Sequence, residues 1–257
     1  MLFRSRDMIQ SHILQTMALT AMELPKDLSP DSVRAEKIKV LEAIRPIPVD
    51  DLAHHAFRAQ YAAGNVTSSD DTVESVPGYL EELGDNTSVV ETYAALKLFV
   101  DNPRWQGVPF YIRTAKRLHE ADTRISIRFK KSALQLVGGT AQNWLMLGIQ
   151  PRECIKMEIQ SKIPGLDIKT RTIQMDAANR QDNDETIDAY EALLLNLMEG
   201  DNSLYLHIDE VQAQWRLVDP VVKAWAADKA PVCQYPAGSA DPEASKVIFE
   251  SEDQFWR

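Results

Sequence analysis

The chain has 257 residues, 44% hydrophobic and 26% charged, which suits one or two globular domains with a sizeable core and excludes a disordered or fibrous protein. Its 28 basic and 38 acidic side chains leave a net charge of −10, which disfavours nucleic acid and anionic membranes as partners. The two cysteines, Cys154 and Cys233, lie far apart without CxxC spacing, so neither a disulfide framework nor a zinc site is indicated and a reducing cytoplasm fits.

No apolar run is long enough for a membrane helix, and "MLFRSRDMIQ" lacks a secretory apolar core. From Asp7 to Met22 the residues Met8, Ile9, Ile13, Met17 and Ala21 recur at helical spacing and predict a first helix. In "LSPDSVRAEKIKVLEAI" Ser29 is suited to cap, Pro30 to the first helical position and Asp31 to the helix dipole, with Val33, Ile38, Leu41 and Ile44 as the buried stripe. Residues 62 to 79, "AAGNVTSSDDTVESVPGY", read as a long, polar, mobile loop.

The middle of the chain is β-rich, with "VVETYAALKLFV", "GVPFYIRT", "TRISIRFK" and "NWLMLGIQ" separated by turn residues. In the first run Leu96, Leu98 and Val100 share one parity, which predicts one well-buried and one mixed face. Strands do not alternate with helices, so the expected class is α+β: a large, mostly antiparallel sheet with helices packed on one face. Helices return at Thr186 to Met198 and Asp209 to Ala227. A single domain over 1–257 is expected, with residues from about 228 onward as an irregular surface-wrapping tail.

Dinucleotide and nucleotide turns are missing: neither GxGxxG nor GxxxxGK[ST] occurs, and the adjacent Gly138 and Gly139 do not make one. No GxSxG nucleophile is present. His54 and His55 are adjacent and, on a strand, would point to opposite faces, so they are read as hydrogen-bonded or solvated rather than as metal ligands. His12 alone on an apolar helix reads as structural, since nothing beside it supplies a triad.

Several blocks occur in order: "RDMIQSHILQ", "AMELP", "VRAEKIKVLEAI", "AQYAAG", "VPGYLEE", "FVDNPRWQGVPFYIRTAKRL", "IQP", "IPGLD", "DAYEALLL" and "DEVQAQW". Together they resemble the C-terminal half of the glucose-6-phosphate dehydrogenase family. The resemblance implies an α+β domain whose sheet supports a homodimer, and the NADP-dependent oxidation of glucose 6-phosphate to 6-phosphogluconolactone in the oxidative pentose phosphate pathway. It makes His12 the general base that takes the proton from the sugar's C1 hydroxyl, work that suits an imidazole with an unperturbed pKa of about 6.5. It makes Asp7 a partner for a sugar hydroxyl and Lys116, in "RTAKRL", a contact for the sugar phosphate substrate.

Asp7 and His12 are five residues apart, about 140° around a helix of 3.6 residues per turn, so they are expected to flank a pocket rather than share a face. The family's NADP-binding Rossmann half is absent from this sequence, so no cofactor is expected to bind this chain alone. A separate nucleotide-binding domain or a full-length dehydrogenase is the implied partner.

Departures from the family pattern fall at polar positions. Ala115 replaces a glycine, Ala121 a second basic residue, Ser11 an asparagine, Ala192 an arginine and Gly148 an arginine. One lost cation weakens a sugar-phosphate site by about 1.5–3 kcal/mol, so glucose 6-phosphate is expected to bind at most weakly. The alternative is a non-catalytic homologue that assembles with, or regulates, a full-length dehydrogenase.

Overall fold

A computed structural model describes residues 5–67, 72–131, 140–178, 189–202, 205–228 and 230–257. Gly138, Gly139 and Thr186 lie outside them. The class is α+β with mostly antiparallel pairing, and the strands are distributed over two four-stranded sheets and a short hairpin. The chain divides into two compact units, Met1–Glu120 with Asp188–Trp256, and Ala121–Ile187 with Arg257.

In the first unit the segment Ser5–Ile13 is wound as a π-helix and runs on into α1 (Leu14–Ala21). Helix α2 (Pro30–Ala43) starts as the sequence predicts, with Pro30 in the first turn and Ser29 Oγ accepting the Ser32 N–H at 3.4 Å. Its buried side is shifted, however: Val40, Leu41 and Ile44 are buried together with Lys37, while Val33 and Ile38 are only half-buried. Lys37 tolerates burial because Glu210 of α5 (Ile208–Ala227) meets it.

The sheet of this unit has the order β10 (Cys233–Pro236), β1 (Ala56–Ala62), β4 (Tyr93–Phe99), β5 (Pro109–Ala115), with β10 and β1 parallel and the other pairs antiparallel. The parity of β4 decides the layering. Ala94, Leu96, Leu98 and Val100 face Ile9, Leu14, Met17, Leu41, Leu217 and Val218 on the helices. Tyr93 and Ala95 face Tyr61, Tyr235 and Ile248.

The mixed face is therefore covered, and by the C-terminal segment. Tyr235 stacks edge-on to Tyr93 at 5.7 Å, and the buried Lys97 donates to Glu250 at 2.6 Å. That segment is more regular than its composition implies, because β10 completes the sheet edge and a 3₁₀ helix follows at Glu243–Ile248.

Residues 62–79 are also more ordered than a loop. They hold the antiparallel hairpin β2 (Gly64–Thr67) and β3 (Val73–Val76), with 68–71 outside the described residues, and lead into α3 (Tyr79–Leu83). Gly238, at φ +79°, passes so close to the Asn65 carbonyl that a Cβ would collide with it. Helix α4 (Ala189–Glu199) also belongs to this unit.

The second unit is built on one antiparallel sheet in the order β6 (Thr123–Arg128), β7 (Trp144–Gln150), β8 (Cys154–Lys162), β9 (Thr170–Ala178). Its register lines up Ile125, Leu147, Ile155 and Ala177, then Ile127, Leu145, Met157 and Met175. All are odd-numbered and so share one apolar face, while Arg124, Ser126, Lys156, Glu158, Gln174 and Asp176 fall on the other.

Candidate functional site

The π-winding of Ser5–Ile13 changes the geometry expected of Asp7 and His12. Hydrogen bonds from i to i+5 place residues five apart one turn above the other, where an α-helix would separate them by about 140°. The two side chains therefore share a face, and His12 Nε2 lies 3.8 Å from Asp7 Oδ1. The side chains are 64% and 43% exposed, which leaves both open to a ligand. At 3.8 Å the pair is in electrostatic contact without a full hydrogen bond, so each keeps bonding capacity for a third group.

The buried side of the segment is tied down at two points. Ser5 donates through its backbone N–H (3.2 Å) and Oγ (2.6 Å) to Glu91 Oε1. Gln10 Nε2 donates to Gln214 Oε1 of α5 at 3.0 Å, both residues being buried. Ser11, where the family pattern has asparagine, donates to Gln10 Oε1 at 2.6 Å. None of Ser5, Glu91 or Gln214 carries a sequence signal, because the partners lie 86 and 204 residues apart along the chain.

Lys116 follows β5 directly, and β5 packs against the π-helical segment. Its backbone is fixed at both ends: the N–H donates to Thr92 O at 2.9 Å, and the carbonyl accepts from Tyr235 Oη at 2.6 Å. Thr92 follows Glu91, the acceptor of Ser5, so the start of the Asp7–His12 segment and the strand end bearing Lys116 are held by neighbouring residues. The next residue, Arg117, sits at φ +53°, a left-handed conformation unusual for a side chain of its size. It is retained by Glu82, which accepts from its guanidinium at 2.6 Å, and by Tyr61, whose ring centre lies 5.3 Å away.

The divergent positions have local explanations. The Ala115 methyl packs with the Tyr93–Tyr235 cluster. A Cβ on Gly148 would come within 2.7 Å of Arg152 O and 2.8 Å of Cys154 Sγ, so the close turn there disfavours the arginine of the family pattern. Ala121 is exposed and Ala192 half-buried. Nothing in the structure explains the alanine at either position.

His54 and His55 do not point apart as adjacent strand residues would. They end a 3₁₀ helix, Val49–His54, and both approach Asp51: His54 Nδ1 is 2.6 Å from Oδ1 and His55 Nε2 is 3.8 Å from Oδ2. The bond to His54 holds the Asp51 carboxyl below the usual carboxylate range. No group of three metal-ligating side chains with suitable geometry occurs among the described residues.

Among the described strands the parallel pair is β1 with β10, which are not consecutive strands of a strand–helix–strand unit, and no Gly-rich turn opens a helix beside them. No helix among the described residues is long and apolar enough to cross a membrane.

Residues 4–257 match the family described as glucose-6-phosphate dehydrogenase, C-terminal domain. The chain is 45% identical to glucose-6-phosphate 1-dehydrogenase of Gluconobacter oxydans over 254 residues, covering 98% of this chain and 51% of that protein. It is 39% identical to the Treponema pallidum enzyme of the same name, again over 98% of this chain and 49% of the relative. It thus spans about half the length of the curated relatives it matches.

A solved structure of glucose-6-phosphate dehydrogenase in complex with its substrate glucose-6-phosphate superposes with a TM-score of 0.84 at 32% identity, over 98% of this chain and 51% of that one. The glucose-6-phosphate 1-dehydrogenase of Mycobacterium avium superposes with a TM-score of 0.76 at 26% identity, over 100% and 52% of the respective chains. On the extent of these matches, the chain belongs to the glucose-6-phosphate dehydrogenase family and corresponds to its C-terminal domain.

Proposed function

We propose that this chain is the substrate-binding and dimerisation domain of a cytoplasmic glucose-6-phosphate dehydrogenase, whose reaction is the NADP-dependent oxidation of glucose 6-phosphate to 6-phosphogluconolactone. In this reading His12 removes the proton from the sugar's C1 hydroxyl, Asp7 accepts a hydrogen bond from a neighbouring hydroxyl, and Lys116 supplies a compact cation for the sugar phosphate. The observation that carries it is the Asp7–His12 pair, a carboxylate and an imidazole 3.8 Å apart on one open face. A base and a hydroxyl acceptor held at that spacing are suited to two adjacent oxygens of a sugar ring. NADP is assigned to a separate nucleotide-binding half, so the chain alone is expected to have no dehydrogenase activity.

Calorimetric titration with glucose 6-phosphate tests the site. Binding at millimolar concentration or better that is lost in Lys116→Ala supports it, and no binding by the native chain refutes it. Mixing the chain with the N-terminal half of a relative, glucose 6-phosphate and NADP should then yield NADPH, and His12→Ala should abolish the yield.

Dimerisation is assigned to the sheet of the second unit. Its apolar face leaves Ile155 48% and Met175 47% exposed, and a twin sheet would cover both. A second reading is a non-catalytic partner of a full-length dehydrogenase. It is favoured by Ala121, an exposed methyl where the family pattern has a cation. Association with a relative in the absence of any sugar-phosphate binding would select it.

A further inference from the structure

The spacing of Asp7 and His12 depends on a helical register that the local sequence does not encode. "SRDMIQSHI" has no glycine or proline to force a π-turn, and π-winding of nine residues is uncommon because its hydrogen bonds close less favourable rings. Something outside the segment must maintain it.

The two buried tethers have the required period. Ser5 and Gln10 are five residues apart, as are Asp7 and His12. In the π register Ser5 and Gln10 stack on the inner side, where Glu91 takes one and Gln214 the other. In an α-helix the same two residues would be about 140° apart and could not both reach those partners. Abandoning either tether would leave a buried carboxylate or amide without its hydrogen bond, an outcome costlier than the poorer helix geometry.

We infer that Glu91 and Gln214 are positioning residues, which clamp Ser5 and Gln10 one π-turn apart and thereby stack His12 on Asp7. The inference deepens the proposed function and rests on it for the value of that stacking. Neither residue touches the ligand face; each acts through the winding of the segment. Gln214 is held in turn by α5, which Glu210 locks to α2 one helical turn earlier through Lys37.

The test uses the full chain and the variant Gln10→Met/Gln214→Met, which replaces both amides by apolar groups of similar size and releases only the half-buried Ser11 hydroxyl that donates to Gln10. Scalar couplings across hydrogen bonds, measured by NMR, report which carbonyl each amide of residues 10 to 13 engages. The native chain should show i−5 partners and the double variant i−4 partners, with glucose 6-phosphate binding weakened by about tenfold or more. Val218→Ala, a core truncation in the same helix, should lower stability and leave the i−5 pattern intact.

Retention of the i−5 pattern in the double variant overturns the inference. Should that variant fail to fold, Ser5→Ala/Glu91→Leu, which removes the hydroxyl donor and the oxygen that accepts from it and from the Ser5 N–H, decides by the same couplings at the first turn. A native chain that shows the i−5 pattern but binds no glucose 6-phosphate refutes the proposed function and leaves the register result standing.

Discussion

Lys37 Nζ lies 2.6 Å from Glu210 Oε2, with the two side chains only 6% and 1% exposed, so an ion pair joins α2 to α5 inside the core. The same carboxylate accepts the His207 N–H at 3.4 Å and closes a capping box at the start of α5. Lys37→Met would leave the carboxylate buried and unpaired, and is expected to cost about 3–5 kcal/mol. Lys37→Met/Glu210→Gln, which keeps the cap and removes both charges, should recover most of that loss. Urea denaturation of the two variants measures the difference, and equal losses would show that the pair contributes little beyond its packing.

His55 gives the first unit a pH dependence near neutrality. Burial, followed by the Lys97 charge, pushes its imidazole below the usual value, against the opposing pull of Asp51, Glu250 and a backbone hydrogen bond with Lys97. A histidine whose folded pKa is depressed binds fewer protons folded than unfolded. Its contribution is therefore complete above the unfolded value of about 6.5 and is lost as pH falls below that through the folded value. Asp51 loses its contribution only at lower pH, in the carboxylate range. Denaturation midpoints should fall between about pH 7.5 and about pH 5.5, and His55→Gln should flatten the decline.

Gly238 combines a positive φ with the nearby Asn65 carbonyl. Gly238→Ala is expected to destabilise by more than about 1–2 kcal/mol, the left-handed penalty alone, because the methyl also displaces the Asn65 backbone. Gly107, also at positive φ (+73°) but with open space around it, is the control: Gly107→Ala should cost the conformational penalty and no more. Thermal midpoints of the two variants give the comparison.

The proposed dimer predicts a particle of twice the 29.0 kDa chain mass in light scattering at micromolar concentration. Met175→Lys places a charge on the exposed apolar face of β9 and should shift the particle to one chain mass without changing the far-UV spectrum. A single-chain mass for the native protein would remove the sheet from consideration as an interface.

Local chemistry was enough to read α2 from Ser29 and Pro30, and the parity of β4 from Leu96, Leu98 and Val100. Lys116 was legible as part of a long block. Strand β1 was not, because "AFRAQYA" carries polar residues whose burial is licensed from a distance: Gln60 donates to Ser88 O and Val90 O, and Arg58 to Trp225 O. The shared face of Asp7 and His12 was misread for a similar reason. A period of 3.6 is the right default for an isolated helix, and the partners that change it, Glu91 and Gln214, are remote in sequence. The histidine pair was legible as hydrogen-bonded, as His54 is to Asp51, but not its placement, because a strand was assumed where a 3₁₀ helix lets Asp51 draw both rings to one side.

Strand β10, parallel to β1 and followed by the segment that covers Tyr93 and Lys97, sets the order in which the protein is completed during synthesis. On the ribosome, β1, β4 and β5 emerge well before their last edge partner and before the residues that shield their second face. A nascent chain halted short of Cys233 carries an unpaired strand edge beside a bare aromatic surface, the combination that recruits chaperones and promotes misassembly. The first unit therefore matures only once the residues through Glu250 have emerged, however early its helices have docked.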